Sequence, residues 1–287
     1  MSTHNSPWVV ETEWLAKHIE APDIVVLDGS MHLPNTGRDA RAEFTEQRIP
    51  GALFFDVDEI SDTSNPLPHM LPSPEKFSSC VKKLGIGNGT RIVVYDSLGL
   101  FSAARVWWMF QIMGHSDVAI LNGGLPKWIA ENLELEDGPA RQPRSSHFTS
   151  RFQASKVKSL DDVLKTVKSD KPVQIVDARA AQRFAGTAPE PRPELTSGRI
   201  PGSFNVPYNN LLEENGTLKN GSDVKQAFID GGINPNQPVI TSCGSGVTAA
   251  VLVLGLALIG RNKSVSLFDG SWTQWGTAEG VPIETDA

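Results

Sequence analysis

The sequence predicts an α/β protein made of two tandem domains, each a parallel sheet with helices on both faces. Three observations carry that expectation. Short strings recur at a nearly constant offset through the two halves of the 287-residue chain. Within each half, β-branched runs alternate with helix-like patterns, the arrangement of strands joined by crossover helices. The length also suits two domains of ordinary size.

Taken in chain order, IVVLDGS at Ile24 reads as a strand and matches VQIVDAR at Val173, so that Asp28 lies over Asp177 at an offset of 149. RIPGA at Arg48 matches RIPGS at Arg199 at an offset of 151. Next comes a helix with Ser73 as its cap, Pro74 in the first helical position and Gly85 as its stop. Its stripe of Phe77, Cys80, Val81 and Leu84 makes Cys80 a small core residue, as free cysteines commonly are. Trp107 and Trp108 are expected in the core as well. KKLGI pairs Gly85 with Gly232, and RIVVYDS places Asp96 over Cys243 of PVITSCGS, both at 147. NGGLPKW at Asn122 lies over DGSWTQW at Asp269, setting Trp128 over Trp275, again at 147. Duplication of one domain explains so steady an offset. The apolar run Ala249 to Ile259 is 11 residues long, where a membrane span needs about 20, and reads as a buried helix. Asp137 to Lys158, with Gly138, Pro139 and Pro143, suits an exposed connector, which puts the boundary near residue 150: a first domain over 1–150 including the linker, and a second over 151–287.

Charge and cysteine content narrow the function. With 26 basic and 33 acidic residues the formal charge is −7, which disfavours nucleic acid and anionic membranes and leaves small molecules or proteins as partners. Cys80 and Cys243 lie far apart with no C-x-x-C, and the histidines have no metal spacing, so neither a disulfide framework nor a metal site is indicated. The N-terminal stretch has no basic start followed by an apolar run and carries Glu11 and Glu13, unlike a targeting peptide. The expected compartment is reducing and cytoplasmic.

The chemistry points to PVITSCGSGVTAAVLVLGLALIG, in which a short strand runs into a glycine-bearing turn and then an apolar helix. Cys243 ends the strand, and ligands of open α/β sheets bind beyond the carboxyl ends of strands, so its side chain is expected to face a crevice. Gly244 and Gly246 let the backbone curl with its N–H groups inward, and the following helix adds its positive end. Such a cradle favours a thiolate, the nucleophilic form of cysteine. The hydroxyls of Ser245 and Thr248 supply further donors. The first half has Asp96 and SLGLFSA at this place, so only the second can perform thiol chemistry.

CGSGVTA at Cys243, the doubled RIPG, GTAPEPR at Gly186 and DGSWTQWG near the C-terminus resemble the two-domain rhodanese-type sulfurtransferases, in particular the branch that uses 3-mercaptopyruvate. The resemblance spans nearly the whole chain. It implies two tandem rhodanese-like domains of which the second is catalytic, with a persulfide formed on Cys243, pyruvate released, and the sulfur passed to a thiol acceptor such as thioredoxin or to cyanide. It implies no metal or organic cofactor. By the same resemblance Arg183 and Arg192 bind the donor together with Gly244, Gly246, Val247 and Thr248 of the loop, an arginine fork suiting a carboxylate. Ser245, His69 and Asp58 match a Ser–His–Asp arrangement supporting the cysteine, which would bring first-half residues to the second-half site.

Thiosulfate sulfurtransferase is the nearest alternative. It is disfavoured because Gly244 and Ser245 are neutral where thiosulfate users carry cations to meet a dianion. A cysteine phosphatase would need an arginine six residues after the cysteine, and that residue is Ala249. A non-catalytic binding module is disfavoured by retention of Cys243 in a full glycine loop. Ser242, where some relatives have a second cysteine, leaves no regulatory disulfide there.

Overall fold

The structure is a computed structural model describing residues 6–170 and 172–286. The first five residues of the N-terminal stretch read for targeting lie outside the described residues. Contacts divide the chain into two compact units. One comprises the chain up to Ser64, Leu71–Gln153 and Glu213–Leu218; the other comprises Asn65–Met70, Ala154–Leu212 and the chain from Lys219 onward.

The first unit holds β1 (Val9–Val10), β2 (Ile24–Asp28), β3 (Leu53–Phe54), β4 (Arg91–Tyr95) and β5 (Val118–Leu121) in the order β1-β5-β4-β2-β3. The second holds β6 (Val157–Lys158), β7 (Gln174–Asp177), β8 (Phe204–Asn205), β9 (Val239–Ser242) and β10 (Val265–Phe268) in the order β6-β10-β9-β7-β8. The permutation is the same, and every pairing is parallel. The central strands are buried along nearly their whole length, β2 and β4 as mostly apolar runs and β9 as Val-Ile-Thr-Ser, because helices flank the sheet and water reaches neither face. In each sheet the chain moves outward from the second strand to the third and then returns to the other side of the second. The carboxyl ends of β2 and β4, and of β7 and β9, are therefore the switch points where a crevice can open. Register sets Asp28 beside Tyr95 and Asp177 beside Ser242 at those ends.

The helix Ala249–Leu258 is apolar on every side, and all its residues through Ala257 are buried, as a helix without a polar face must be. Trp107 and Trp108 are buried in the helix Ala103–Ile112, where the Arg105 guanidinium lies 4.7 Å over the Trp108 ring. In the helix Pro74–Lys83, Ser73 accepts from the Lys76 amide and Gly85 follows at φ +71. Cys80, expected in the core, is only half-buried. Phe77 and Val81 define a narrow inward arc, and Cys80, at 100° per residue, falls at its flank. The connector is mostly exposed, but Phe148 inserts among Phe77, Phe110 and His115 of the first unit.

Duplication extends to side-chain bonds. Trp128 Nε1 donates to Glu134 O at 2.7 Å, and Trp275 Nε1 donates to Pro282 O at 2.9 Å. The two RIPG arginines likewise each form an isolated antiparallel bridge to a glutamate that follows a tryptophan-bearing helix, Arg48 with Glu136 and Arg199 with Glu284. The Arg48 guanidinium pairs with the Glu136 carboxylate and donates to Gly138 O at 2.6 Å. The Arg199 guanidinium meets Glu284 at 2.5 Å and Asp286 at 2.8 Å. Among the described residues no helix is long and apolar enough to cross a membrane.

Candidate active site in the second unit

Cys243 directly follows β9, and Thr248 caps the helix Ala249–Leu258, so residues 243–248 are the turn between strand and helix. Gly246 sits at φ +76, a left-handed conformation that only glycine adopts without strain. At Gly244 a Cβ would lie 3.3 Å from Arg183 Nη2, so the guanidinium sits close against the turn at this point. The Cys243 amide donates to Ser271 Oγ at 3.1 Å, and the Cys243 and Gly244 carbonyls accept from the Trp272 and Thr273 amides at 2.9 and 2.8 Å. The turn is thus tied to the segment after β10. Ser271 itself is buried at φ +46, a strained backbone for a residue with a side chain.

The Cys243 side chain was expected to face a crevice, yet the residue is only 1% exposed. Ser242, Ser245, Val247 and Thr248 are buried with it, and Gly244 alone in the turn is partly open. A position beyond a strand end fixes direction, not depth, and the turn folds over its own first residue. The amides of the loop can be judged from the first unit, where Asp96 occupies the corresponding place. Its carboxylate accepts from the amides of Leu98, Phe101 and Ala103 at 2.9, 2.7 and 2.8 Å. In the second unit, no main-chain carbonyl among the described residues accepts from the amides of Gly244, Ser245, Val247 or Thr248.

On one side of the turn, His69 Nδ1 and Ser245 Oγ share a 2.8 Å hydrogen bond, and His69 is buried. His69 holds φ +61, and Pro68 precedes it, so its segment presents the imidazole from a strained and rigid backbone. Asp58 is an exposed residue of the short helix Val57–Ile60 and belongs to the first unit.

On the other side stands a cluster of charges that sequence reasoning missed apart from Arg183. Arg183 lies in the helix Ala181–Ala185 and donates through Nε and Nη2 to one Glu190 oxygen, at 3.1 and 2.5 Å. The other Glu190 oxygen accepts from Arg179 Nη1 at 2.7 Å. Arg179 also grips Asp177 at 2.8 Å, donates to Gly198 O at 2.8 Å, and stacks 4.4 Å over Trp272, whose amide holds the Cys243 carbonyl. Burial opposes the charge of Arg179, but Asp177 and Glu190 overcome it and hold the guanidinium above its ordinary value. The signal for this cluster was VQIVDAR against IVVLDGS: an arginine two residues after the shared aspartate in one half only. Arg192 is half-buried in the irregular segment beyond Glu190, and no ion pair of its side chain is found among the described residues.

A buried cysteine on a glycine-bearing turn, a histidine–serine pair on one flank and arginines on the other can perform nucleophilic chemistry on a small anionic substrate. The family model described as "Rhodanese-like domain" matches residues 11–131 and again 159–278. The chain is 41% identical over 273 residues to human 3-mercaptopyruvate sulfurtransferase, covering 93% of this chain and 91% of the relative. It is 42% identical over 274 residues to rat thiosulfate sulfurtransferase, with the same two coverages. The crystal structure of SseA from Escherichia coli, whose published description concerns the fold and mechanism of 3-mercaptopyruvate sulfotransferases, superposes with a TM-score of 0.84 at 40% identity. It covers 94% of this chain and all of that one.

Proposed function

The chain belongs to the rhodanese-like family, and from that premise we propose that it takes sulfur from 3-mercaptopyruvate onto Cys243 and passes it to a thiol. The observation that carries the choice of donor is the Arg183 guanidinium against Gly244, beside a turn that has no cation of its own. A carboxylate on the donor finds there the outward side of a guanidinium that Glu190 holds from within, together with Arg192 and the loop residues Gly244, Gly246, Val247 and Thr248.

In the first half-reaction the Cys243 thiolate attacks the donor's sulfur. The carbon–sulfur bond breaks with its electron pair left on carbon, and the resulting enolate takes a proton to become pyruvate. Cys243 keeps the outer sulfur as a persulfide, with the loop amides stabilising the charge it carries. The Ser245–His69 pair is the proton route, and an imidazole suits that work near neutral pH. The resemblance adds Asp58 to this pair as its third member. In the second half-reaction an acceptor thiolate attacks the outer sulfur and leaves as its own persulfide, returning Cys243 as thiolate. With a dithiol acceptor such as reduced thioredoxin, the second thiol then closes a disulfide and releases sulfide. Cyanide leaves as thiocyanate. A reducing compartment such as the cytoplasm suits a lone reactive thiol.

Thiosulfate use is supported by the 42% identity to the rat enzyme, and a paired assay separates the readings. With 3-mercaptopyruvate and thiosulfate side by side, kcat/KM is expected to favour mercaptopyruvate by about tenfold or more, the scale of one well-placed charge contact. Intact mass after donor alone should rise by one sulfur atom, and not in Cys243→Ser. Preference for thiosulfate overturns the donor, and turnover retained in Cys243→Ser overturns the nucleophile.

A further inference from the structure

Arg179, Arg183, Asp177 and Glu190 form one connected cluster with two positive and two negative side chains. Three of them are sealed: the side chains of Arg179 and Glu190 are 1% exposed and that of Asp177 is 3%. Arg183, at 22%, is the one that opens outward, and it does so against the catalytic turn. Pairing Arg179 would require only one Glu190 oxygen. The second oxygen is committed to both Nε and Nη2 of Arg183, which fixes the plane of that guanidinium and offsets its charge.

We propose that Glu190 is a specificity-setting positioning residue. It orients Arg183 and cancels its charge toward the donor site, so that the site accepts a monoanionic sulfur donor and discriminates against a dianionic one. This rests on the sulfurtransferase reading above but not on the identity of its donor. With Glu190 charged, the four-residue cluster has no net charge, and Arg192 is the remaining cation on this segment among the described residues. A single carboxylate is then matched, and a second negative charge finds nothing to meet it. Without the Glu190 charge, Arg183 offers a full positive charge within a few ångströms of the bound anion. A doubly charged donor gains about twice as much from that charge as a singly charged one.

The test compares donors with the same sulfur chemistry that differ by one charge: thiosulfate, a dianion, and methanethiosulfonate, its monoanionic counterpart. The wild-type protein is expected to favour methanethiosulfonate in kcat/KM. Glu190→Gln, which keeps the shape and removes the charge, should move the ratio toward thiosulfate by about tenfold, mainly through KM. Glu190→Asp keeps the charge and should retain the wild-type ratio even if both rates fall. Asp177→Asn raises the charge of the same cluster by one from its far end and should move the ratio the same way, so the idea stays testable if Glu190→Gln does not fold. An unchanged ratio in the neutral variants, or equal shifts in Glu190→Gln and Glu190→Asp, makes Glu190 purely structural and overturns the proposal. Failure of the mercaptopyruvate reading would appear separately, in the wild-type donor assay.

Discussion

The turns after β4 and β9 have the same place in duplicated sheets and opposite fates. In the first unit the turn amides close on the Asp96 side chain, so the cradle is filled by an acidic group of its own chain, whose pKa burial raises against the pull of those amides. In the second unit a cysteine stands there, and the amides of Gly244, Ser245, Val247 and Thr248 donate to no main-chain carbonyl among the described residues. The neighbouring strand differs in step. Asp28 has Ser30 two residues on and Asp177 has Arg179, so the first unit buries an uncompensated carboxyl and the second buries an ion pair. One cradle holds an acidic side chain and the other a buried thiol, and the difference lies in a few side chains on a shared backbone plan.

The most disruptive way to probe that comparison is Asp96→Ala. Three amides, two of them buried, lose their acceptor together, and each buried donor left orphaned costs about 1–3 kcal/mol. The first unit should lose several kcal/mol in denaturant unfolding while sulfur transfer by the folded protein is kept. An unchanged unfolding midpoint would mean that the first cradle needs no side chain to fill it.

Asp28→Asn comes next. Burial pushes the Asp28 carboxyl up to about 6, with hydrogen bonds from Ser30 and Tyr95 opposing and the nearby Asp96 adding to the rise. The folded state therefore holds this proton more tightly than the unfolded chain, whose carboxyl has its ordinary value near 3.9. Stability from this group is complete below about pH 4 and is lost as pH rises through about 6, a change on the order of 3 kcal/mol. Asp28→Asn should flatten this part of the pH–stability curve, and a slope identical to wild type would assign the effect to other groups.

The smallest effect is expected at the other thiol. Cys80→Ala should shift stability by less than about 1 kcal/mol and leave transfer rates alone, because its side chain is only half-buried. A large loss of activity would mean that the first unit contributes a thiol after all.

What the sequence revealed follows the range of the forces involved. Strands such as Ile24–Asp28, the apolar helix Ala249–Leu258 and the duplication are written in local patterns, and they were legible. Cys80 was misplaced because a stripe gives the direction of a face but not the width of its buried arc. The depth of Cys243 depends on how the following turn folds back, which no strand-end rule supplies. His69 and Ser245 are 176 positions apart, so only the family resemblance joined them before the structure placed them 2.8 Å apart. The Glu190 cluster joins three separate stretches of chain around Arg179. Its letters were visible, DAR and PEPR, but their meeting was not.

The bridges from Arg48 to Glu136 and from Arg199 to Glu284 mean that each unit fastens its own tail, past the last helix, to the stretch just ahead of its third strand. For the second unit this makes the final residues of the chain a latch. A protein ending before Glu284 would leave the Arg199 guanidinium, 11% exposed, without either carboxylate that answers it. An affinity tag or fusion joined there would be pulling on a structural joint, whereas the same addition ahead of Trp8 would leave both latches closed.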